Sequence, residues 1–374
     1  MNPRRLLLLQ DHLRSGGTER QTILLARAFR ARGHEVEVLT FRPGGALAPT
    51  LAPVPHRCIQ PFDTGLNFFA PGLARAVRRF DPGVVLLMGR MAHALGGGLA
   101  PRLPRARVVA TLRTGKPLPA LYRRTLRGAA HVVANSAESA ARLVGPLGLP
   151  AARVSVIHNA LVFPSPPASG EAAAGPLRAA TRAELDAPPG AVVLLCVAMF
   201  RPEKNQRALL EAAARLPGPP HAPDWRLWLV GEGPARAGCE ALATRLGLGA
   251  RVRFLGFRDD PRPLYAAADL AVLASRAESL SNFLVEAQSH RLPVVAARAT
   301  GVGECFLPGV SGTLVEPDDP EAFARALGPW LAEPARRAAA GAAGAAHARE
   351  AFAPAARADD YLGLFERLLA APRD

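Results

Sequence analysis

Strand-length apolar runs alternate with helix-period segments along almost the whole chain, and this alternation restricts the possible folds more than any other feature. One series of runs lies at 5–10, 35–40, 84–88, 107–112, 131–135 and 154–158, and a second at 191–198, 226–230, 252–255, 270–274, 293–297 and 313–315. Strands that are apolar on both faces must be covered on both sides, which is the condition of a parallel sheet flanked by helices. Between the two series, 163–175 is rich in Pro, Ala, Ser and Gly without periodicity and reads as a tether. The expected fold is therefore α/β, with two Rossmann-like β/α/β domains facing each other across a cleft. Residues 1–163 form the first domain, 164–190 a linker and leading helix, and 191–350 the second domain. Residues 351–374 form a helix that packs back on the first. The 374 residues suit two cores better than one. The Ala-rich stretch 335–348 reads as a surface helix.

Several classes of protein are set aside by what the chain lacks. After the charged start, only four apolar residues, Leu6 to Leu9, precede polar ones, so the N-terminus reads as a first strand and not as a signal peptide. No stretch approaches the roughly 18 apolar residues of a membrane span. The four cysteines form no C-x-x-C pair, the histidines form no H-E-x-x-H cluster and no D-x-D motif occurs; we expect neither metal nor cofactor. Charge is unevenly placed. Residues 1–165 carry 23 basic and 7 acidic side chains, while 166–374 carry 23 and 24. The basic first half calls for an anionic partner, a membrane surface or a lipid phosphate; nucleic acid lacks the interleaved aromatics it would need. The expected location is the cytoplasm, at the inner face of the membrane.

In doubly wound sheets ligands bind beyond the carboxyl ends of the strands, so the post-strand loops carry the chemistry. After the run ending near Ser275 comes Glu278-Ser279-Leu280-Ser281-Asn282-Phe283-Leu284-Val285-Glu286. With Ser281 as helix cap, Glu278 stands in the loop and Glu286 a little over one turn inside the helix. Amides at that helix start suit a phosphate, and a carboxylate just beyond suits the two hydroxyls of a ribose. The plain alternative is a capped helix with two solvated glutamates. The first run of the second half leads into Met199-Phe200-Arg201-Pro202-Glu203-Lys204-Asn205. A cationic pair there can neutralise a departing diphosphate without a metal. Only two lysines occur, Lys116 and Lys204, and both follow strands. Ser15-Gly16-Gly17-Thr18-Glu19-Arg20 allows close backbone approach to a ligand, though it is no P-loop. His93 begins a post-strand helix, and Arg113 and Lys116 lie in the loop after 107–112; these three are the acceptor-side candidates.

Taken in order, these motifs resemble the retaining family 4 glycosyltransferases of the GT-B fold. Besides those already quoted, Ala134-Asn135-Ser136, Val156-Ile157-His158-Asn159-Ala160, Leu229-Val230-Gly231-Glu232-Gly233-Pro234, Phe254-Leu255-Gly256-Phe257 and Thr300-Gly301-Val302-Gly303-Glu304 follow the family's succession. The resemblance implies that Glu286 binds the donor ribose. It implies that Glu278 lies at or beside the transferred sugar and that Lys204 with Arg201 binds the diphosphate. Gly16, Gly17, Ser281, Asn282 and Phe257 complete the donor set. The family's arginine five residues before the lysine is Met199 here, and Arg201 stands three before.

The expected activity is retaining, metal-independent transfer of a sugar from a nucleotide-diphosphate sugar, with UDP as the expected nucleotide. The acceptor is a saccharide or a lipid-linked one, in cell-envelope polysaccharide or lipopolysaccharide synthesis. A nucleotide-sugar epimerase of the same architecture and a decayed nucleotide-sugar-binding protein are the competing readings.

Overall fold

A computed structural model describes residues 4–14, 16–66, 69–162, 174–218, 220 and 222–372. The chain divides into two compact units, Met1–Val162 with Phe352–Asp374, and Phe163–Ala351. The expected tether 163–175 lies outside the described residues except for its last two positions.

In the first unit the elements are β1 (Arg5–Gln10), α1 (Gly17–Ala31), β2 (Glu35–Thr40), β3 (His56–Cys58), α2 (Leu73–Phe80), β4 (Val84–Leu87), α3 (Arg90–Gly96), β5 (Arg107–Leu112), α4 (Ala120–Gly128), β6 (His131–Ala134), α5 (Ala137–Val144) and β7 (Val154–Val156). The seven strands form one parallel sheet in the order β3-β2-β1-β4-β5-β6-β7. The Leu run of β1 shows why so apolar a strand is needed. Leu7 and Leu9 point into one core with Val85, Leu87 and Ala110, while Leu6 and Leu8 point into the other with Phe29, Val38 and Leu86. Both faces are dry, so neither can alternate with polar residues. The sequence analysis missed β3, a three-residue edge strand with no apolar signal in His56-Arg57-Cys58.

The second unit comprises α6 (Ala174–Glu184), β8 (Val192–Val197), α7 (Gln206–Ala213), β9 (Trp225–Val230), α8 (Arg236–Arg245), β10 (Val252–Phe254), α9 (Arg262–Ala267), β11 (Leu270–Leu273), α10 (Asn282–Ser289), β12 (Val294–Ala297), β13 (Gly312–Val315), α11 (Pro320–Ala332) and α12 (Pro334–Ala351). Its sheet is again wholly parallel, in the order β10-β9-β8-β11-β12-β13. The last helix, α13 (Pro354–Ala370), belongs to the first unit, where Tyr361 and Phe365 meet Phe29 of α1 edge-on.

Two features hold the second sheet. Asp269, at the head of β11, accepts from Arg178 (2.5 Å), Arg182 (2.5 Å) and the Val193 amide (2.7 Å). It thereby ties α6 to two neighbouring strands. The Ala-rich helix α12 is more than the surface helix expected from its composition. It buries Ala340, Gly341, Gly344, Ala345 and Ala348. A methyl group on Gly341 would collide with the Arg291 carbonyl, and one on Gly344 with the Gln288 side chain. The small residues let α12 lie directly against α10.

In each sheet the strand order reverses once, between β1 and β4 and between β8 and β11. Each reversal sends adjacent crossovers to opposite faces and leaves a crevice at the carboxyl end, where ligands bind.

Candidate active site

The two strongest sequence motifs of the second half meet at the β8/β11 reversal. The loop after β8 passes through a 3₁₀ turn, Pro202–Lys204, and ends at Asn205, whose φ of 51° places it in the left-handed region. The loop after β11 runs beside it, with the Arg276 amide donating to the Glu203 carbonyl (2.8 Å). Lys204 Nζ donates to Glu278 Oε1 at 2.5 Å. The Glu278 side chain is 9% exposed and that of Lys204 25%, so this is a largely desolvated ion pair. Asp318, just beyond β13, accepts from Arg276 Nε (2.6 Å) and Asn205 Nδ2 (3.2 Å) and so clamps both loops.

Ser281 is the N-cap residue of α10, but its hydroxyl makes no cap hydrogen bond. Its amide donates instead to Cys305 Sγ (3.3 Å), which in turn donates to the Gly301 carbonyl (3.3 Å). Burial pushes the Cys305 thiol well above its usual range and leaves it an inert packing and hydrogen-bonding group. Glu286 lies on α10 and accepts from the buried Tyr265 hydroxyl at 2.7 Å. Tyr265 stacks on His290 with ring centroids 4.9 Å apart, and burial holds His290 at about 4, so it is neutral near pH 7. Asn282 is half-buried at the first turn of α10, and Phe257, after β10, is 58% exposed.

Arg201 is not hydrogen-bonded to the Lys204–Glu278 pair. It lines a separate pocket of about 320 Å³ with Arg207, Arg276 and the start of α8. Met199 is half exposed in the same loop. The neighbouring Gly231 and Gly233, at φ of 136° and 152°, bring the turn after β9 against this loop. A side chain on either would strike the carbonyl of Ala198 or Phe200.

In the first unit the structure corrects one acceptor-side expectation. His93 is fully buried. Its Nδ1 donates to the Gly89 carbonyl (2.6 Å), which fixes the tautomer. Nε2 accepts the Thr111 amide (3.0 Å), and the ring stacks on Tyr122 at 4.1 Å. Both nitrogens are spent inside the fold, and burial lowers the imidazole to about 4. His93 therefore positions the end of β5 and cannot touch an acceptor. Arg113 is likewise engaged: it donates to Asn159 Oδ1 and, at 2.7 Å, to the Tyr361 hydroxyl of α13. Lys116 is exposed in the same loop. Gly16 caps α1, but the space above it is filled by the carboxylate of Glu19, which any side chain at position 16 would strike. Gly16 and Gly17 belong to the first unit and Glu286 to the second.

The sequence analysis passed over Asp11. Its carboxylate accepts from the amides of Arg90 (2.8 Å), Met91 (2.8 Å) and Ala92 (3.2 Å), capping α3 across the β1/β4 reversal. Burial raises its pKa, against the lowering effect of those amides. An aspartate directly after a strand was the available signal. Tyr265 and Asp318 gave none, because their hydrogen-bond partners are between 21 and 113 residues away.

Comparison with known proteins follows the same division. Residues 15–161 match the family model described as Glycosyltransferase Family 4, and 191–333 match that described as Glycosyl transferases group 1. A D-inositol 3-phosphate glycosyltransferase 2 of Catenulispora acidiphila is 31% identical over 98% of this chain and 97% of its own length. The chain belongs to glycosyltransferase family 4. Within the family, a lipopolysaccharide core biosynthesis glycosyltransferase, LpsE of Rhizobium meliloti, is 40% identical, but over only 41% of this chain and 43% of that protein. Among solved structures, Anabaena HepE in complex with UDP superposes with a TM-score of 0.80 at 26% identity. The match covers 97% of this chain and all of that one. HepE has also been solved with UDP-glucose, with the same TM-score and identity. A glycosyltransferase from Rickettsia africae, at 19% identity and a TM-score of 0.82, shares the fold. The two parallel-sheet units are those of the GT-B glycosyltransferases.

Proposed function

We propose that this family 4 member transfers a sugar, with retention and without a metal, from UDP-sugar to a saccharide or lipid-linked acceptor in cell-envelope polysaccharide or lipopolysaccharide synthesis. One observation carries the reading: the desolvated Lys204–Glu278 pair lies at the topological reversal of the second sheet, beside the start of α10. UDP is favoured because HepE, whose structural match covers 97% of this chain, was solved in complex with it. The envelope acceptor is favoured by the likeness to LpsE.

Lys204 supplies a positive charge for the diphosphate oxygens as the glycosidic bond breaks, in a setting where water competes little. Glu286, aimed by the Tyr265 hydroxyl, accepts from the ribose hydroxyls. Ser281 and Asn282 at the start of α10 favour an anionic ligand. The acceptor oxygen attacks the anomeric carbon on the face the diphosphate leaves, and a leaving phosphate oxygen takes its proton. With Met199 in the family's arginine position, Lys204 carries more of the leaving charge, and Arg201 acts from the adjacent pocket. Burial of His93 removes it as a base and favours the leaving phosphate in that role.

The test is proton NMR of the product formed from a UDP-α-sugar with and without EDTA. An α-linked product in unchanged yield supports retention without a metal. A β-linked product refutes retention, and loss of activity in EDTA refutes metal independence. A changed sugar released without any acceptor would favour the epimerase.

A further inference from the structure

The pocket of about 320 Å³ that Arg201 lines is built wholly from the second unit, beneath the turn that carries Lys204. Pro202 and Asn205 of that turn form one wall, Arg207 of α7 and Arg276 after β11 stand beside them, and the start of α8 closes it. Helices α7 and α8 follow β8 and β9, on one side of the β8/β11 reversal, whereas α10 follows β11 on the other. The two sets of crossovers therefore lie on opposite faces of the sheet. Neither Lys204, Glu278 nor Glu286 lines the pocket.

The lining holds three guanidinium groups and no carboxylate. The Arg201 side chain, half-buried, makes no hydrogen bond or ion pair among the described residues. Glu211 and Asp318 engage Arg207 and Arg276 through Nε alone, at 2.9 and 2.6 Å, so the terminal nitrogens of both are not hydrogen-bonded among the described residues. Glu232 and Glu240 are held by Arg236. No side chain caps α8, whose N-cap residue is Ala235. At Gly238, in the first turn of α8, an added methyl group would meet nothing within 4 Å.

We propose that this pocket binds a phosphate group, as inorganic phosphate or as a small phosphate ester, at an effector site separate from the Lys204–Glu278 crevice. Three like charges facing one space repel unless an anion joins them. Guanidinium forks match phosphate oxygens in pairs, and a phosphate has enough oxygens to serve three forks where a carboxylate has two. The uncapped start of α8 adds a partial positive charge. The volume is at the lower end for small-molecule sites, which suits a phosphate ester better than a whole nucleotide sugar. A phosphate here takes up the charge that Arg201 otherwise lends to the leaving diphosphate, so occupancy slows transfer. That consequence rests on the transfer reading, whereas the binding does not.

The experiment is isothermal titration of the full chain with inorganic phosphate and, separately, with a hexose phosphate, at low ionic strength. Binding of at least one is expected, and the tighter of the two identifies the source. Arg201→Gln should weaken it roughly tenfold or more. Gly238→Glu should abolish it by placing a carboxylate at the rim, without lowering the melting temperature, because the added side chain meets open space and an acid suits a helix start. Ala237→Glu, which changes the charge equally on a residue outside the lining, should keep the binding, as should Lys204→Met. Any of three results overturns the proposal: no binding of either probe, equal binding by wild type and Arg201→Gln, or binding that is lost in Lys204→Met. The last would place the phosphate in the Lys204 crevice. Failure of UDP to bind, with phosphate binding intact, would count against the transfer reading alone.

Discussion

Replacing Glu278 with Gln should tighten the binding of UDP while slowing transfer. The Glu278 carboxylate is the partner of Lys204, at 2.5 Å and largely out of water. A diphosphate approaching the same ammonium places its charge about 5 Å from that carboxylate. At an effective dielectric of about 20, two unit charges at that distance repel by about 3 kcal/mol. Lys204 keeps a quarter of its side chain in solvent, so roughly half of that is a fair expectation, or about 1.5 kcal/mol. This corresponds to roughly tenfold tighter UDP. Glutamine keeps the shape and an acceptor for Lys204 without the charge. Turnover should fall at the same time, because the carboxylate we propose to lie beside the transferred sugar is gone and product leaves more slowly. Isothermal titration with UDP, with Lys204→Met measured in parallel, decides the matter. A Glu278→Gln dissociation constant that is unchanged or raised, while Lys204→Met weakens binding, would refute the competition between carboxylate and diphosphate. No effect of either substitution would remove Lys204 from the diphosphate site.

Two further expectations concern stability. Asp269→Ala strands the buried guanidinium of Arg182, and breaking a buried pair in this way costs about 3–5 kcal/mol. Calorimetry should show a transition lowered by roughly 6–20 °C; a shift below about 2 °C would contradict the structural role given to this network. Acid should also weaken the first unit through His93. Its folded value of about 4 lies below the ordinary 6.5, so between those pH values the unfolded chain binds the proton and the folded one does not. Stability is therefore highest above pH 6.5 and falls towards pH 4, by up to about 3 kcal/mol from this group. Urea unfolding between pH 7 and 5 should show a shallower pH slope for His93→Phe than for wild type, and an identical slope would argue that the ring is not held neutral.

Much of the architecture could be read from the chain because its strands are dry on both faces. The runs at 5–10 and 107–112 coincide with β1 and β5 at both ends. Edge strand β3, only partly buried and three residues long, had no such signal. Positions fixed by local rules were likewise legible, such as Ser281 as the residue preceding α10 and the succession of glycine turns at Gly231 and Gly233. What escaped was side-chain direction. His93 begins a post-strand helix, as expected, yet a fully buried ring and a solvent-facing one have the same sequence context. The hydrogen bond from Arg113 to Tyr361, 248 residues on, was not foreseeable either. The Ala-rich segment of α12 was read from composition alone. Only its contact with α10 shows why Gly341 and Gly344 must be small.

The central claim is that the crevice at the β8/β11 reversal binds a nucleoside diphosphate through Lys204 and Glu286. It is tested most directly by titrating the wild-type protein, Lys204→Met and Glu286→Ala with UDP, following heat and melting temperature. Binding and thermal stabilisation by UDP in the wild type, each lost or much reduced in both variants, is the expected result. Equal affinity in all three proteins, or no response of the wild type to any nucleoside diphosphate, would contradict it.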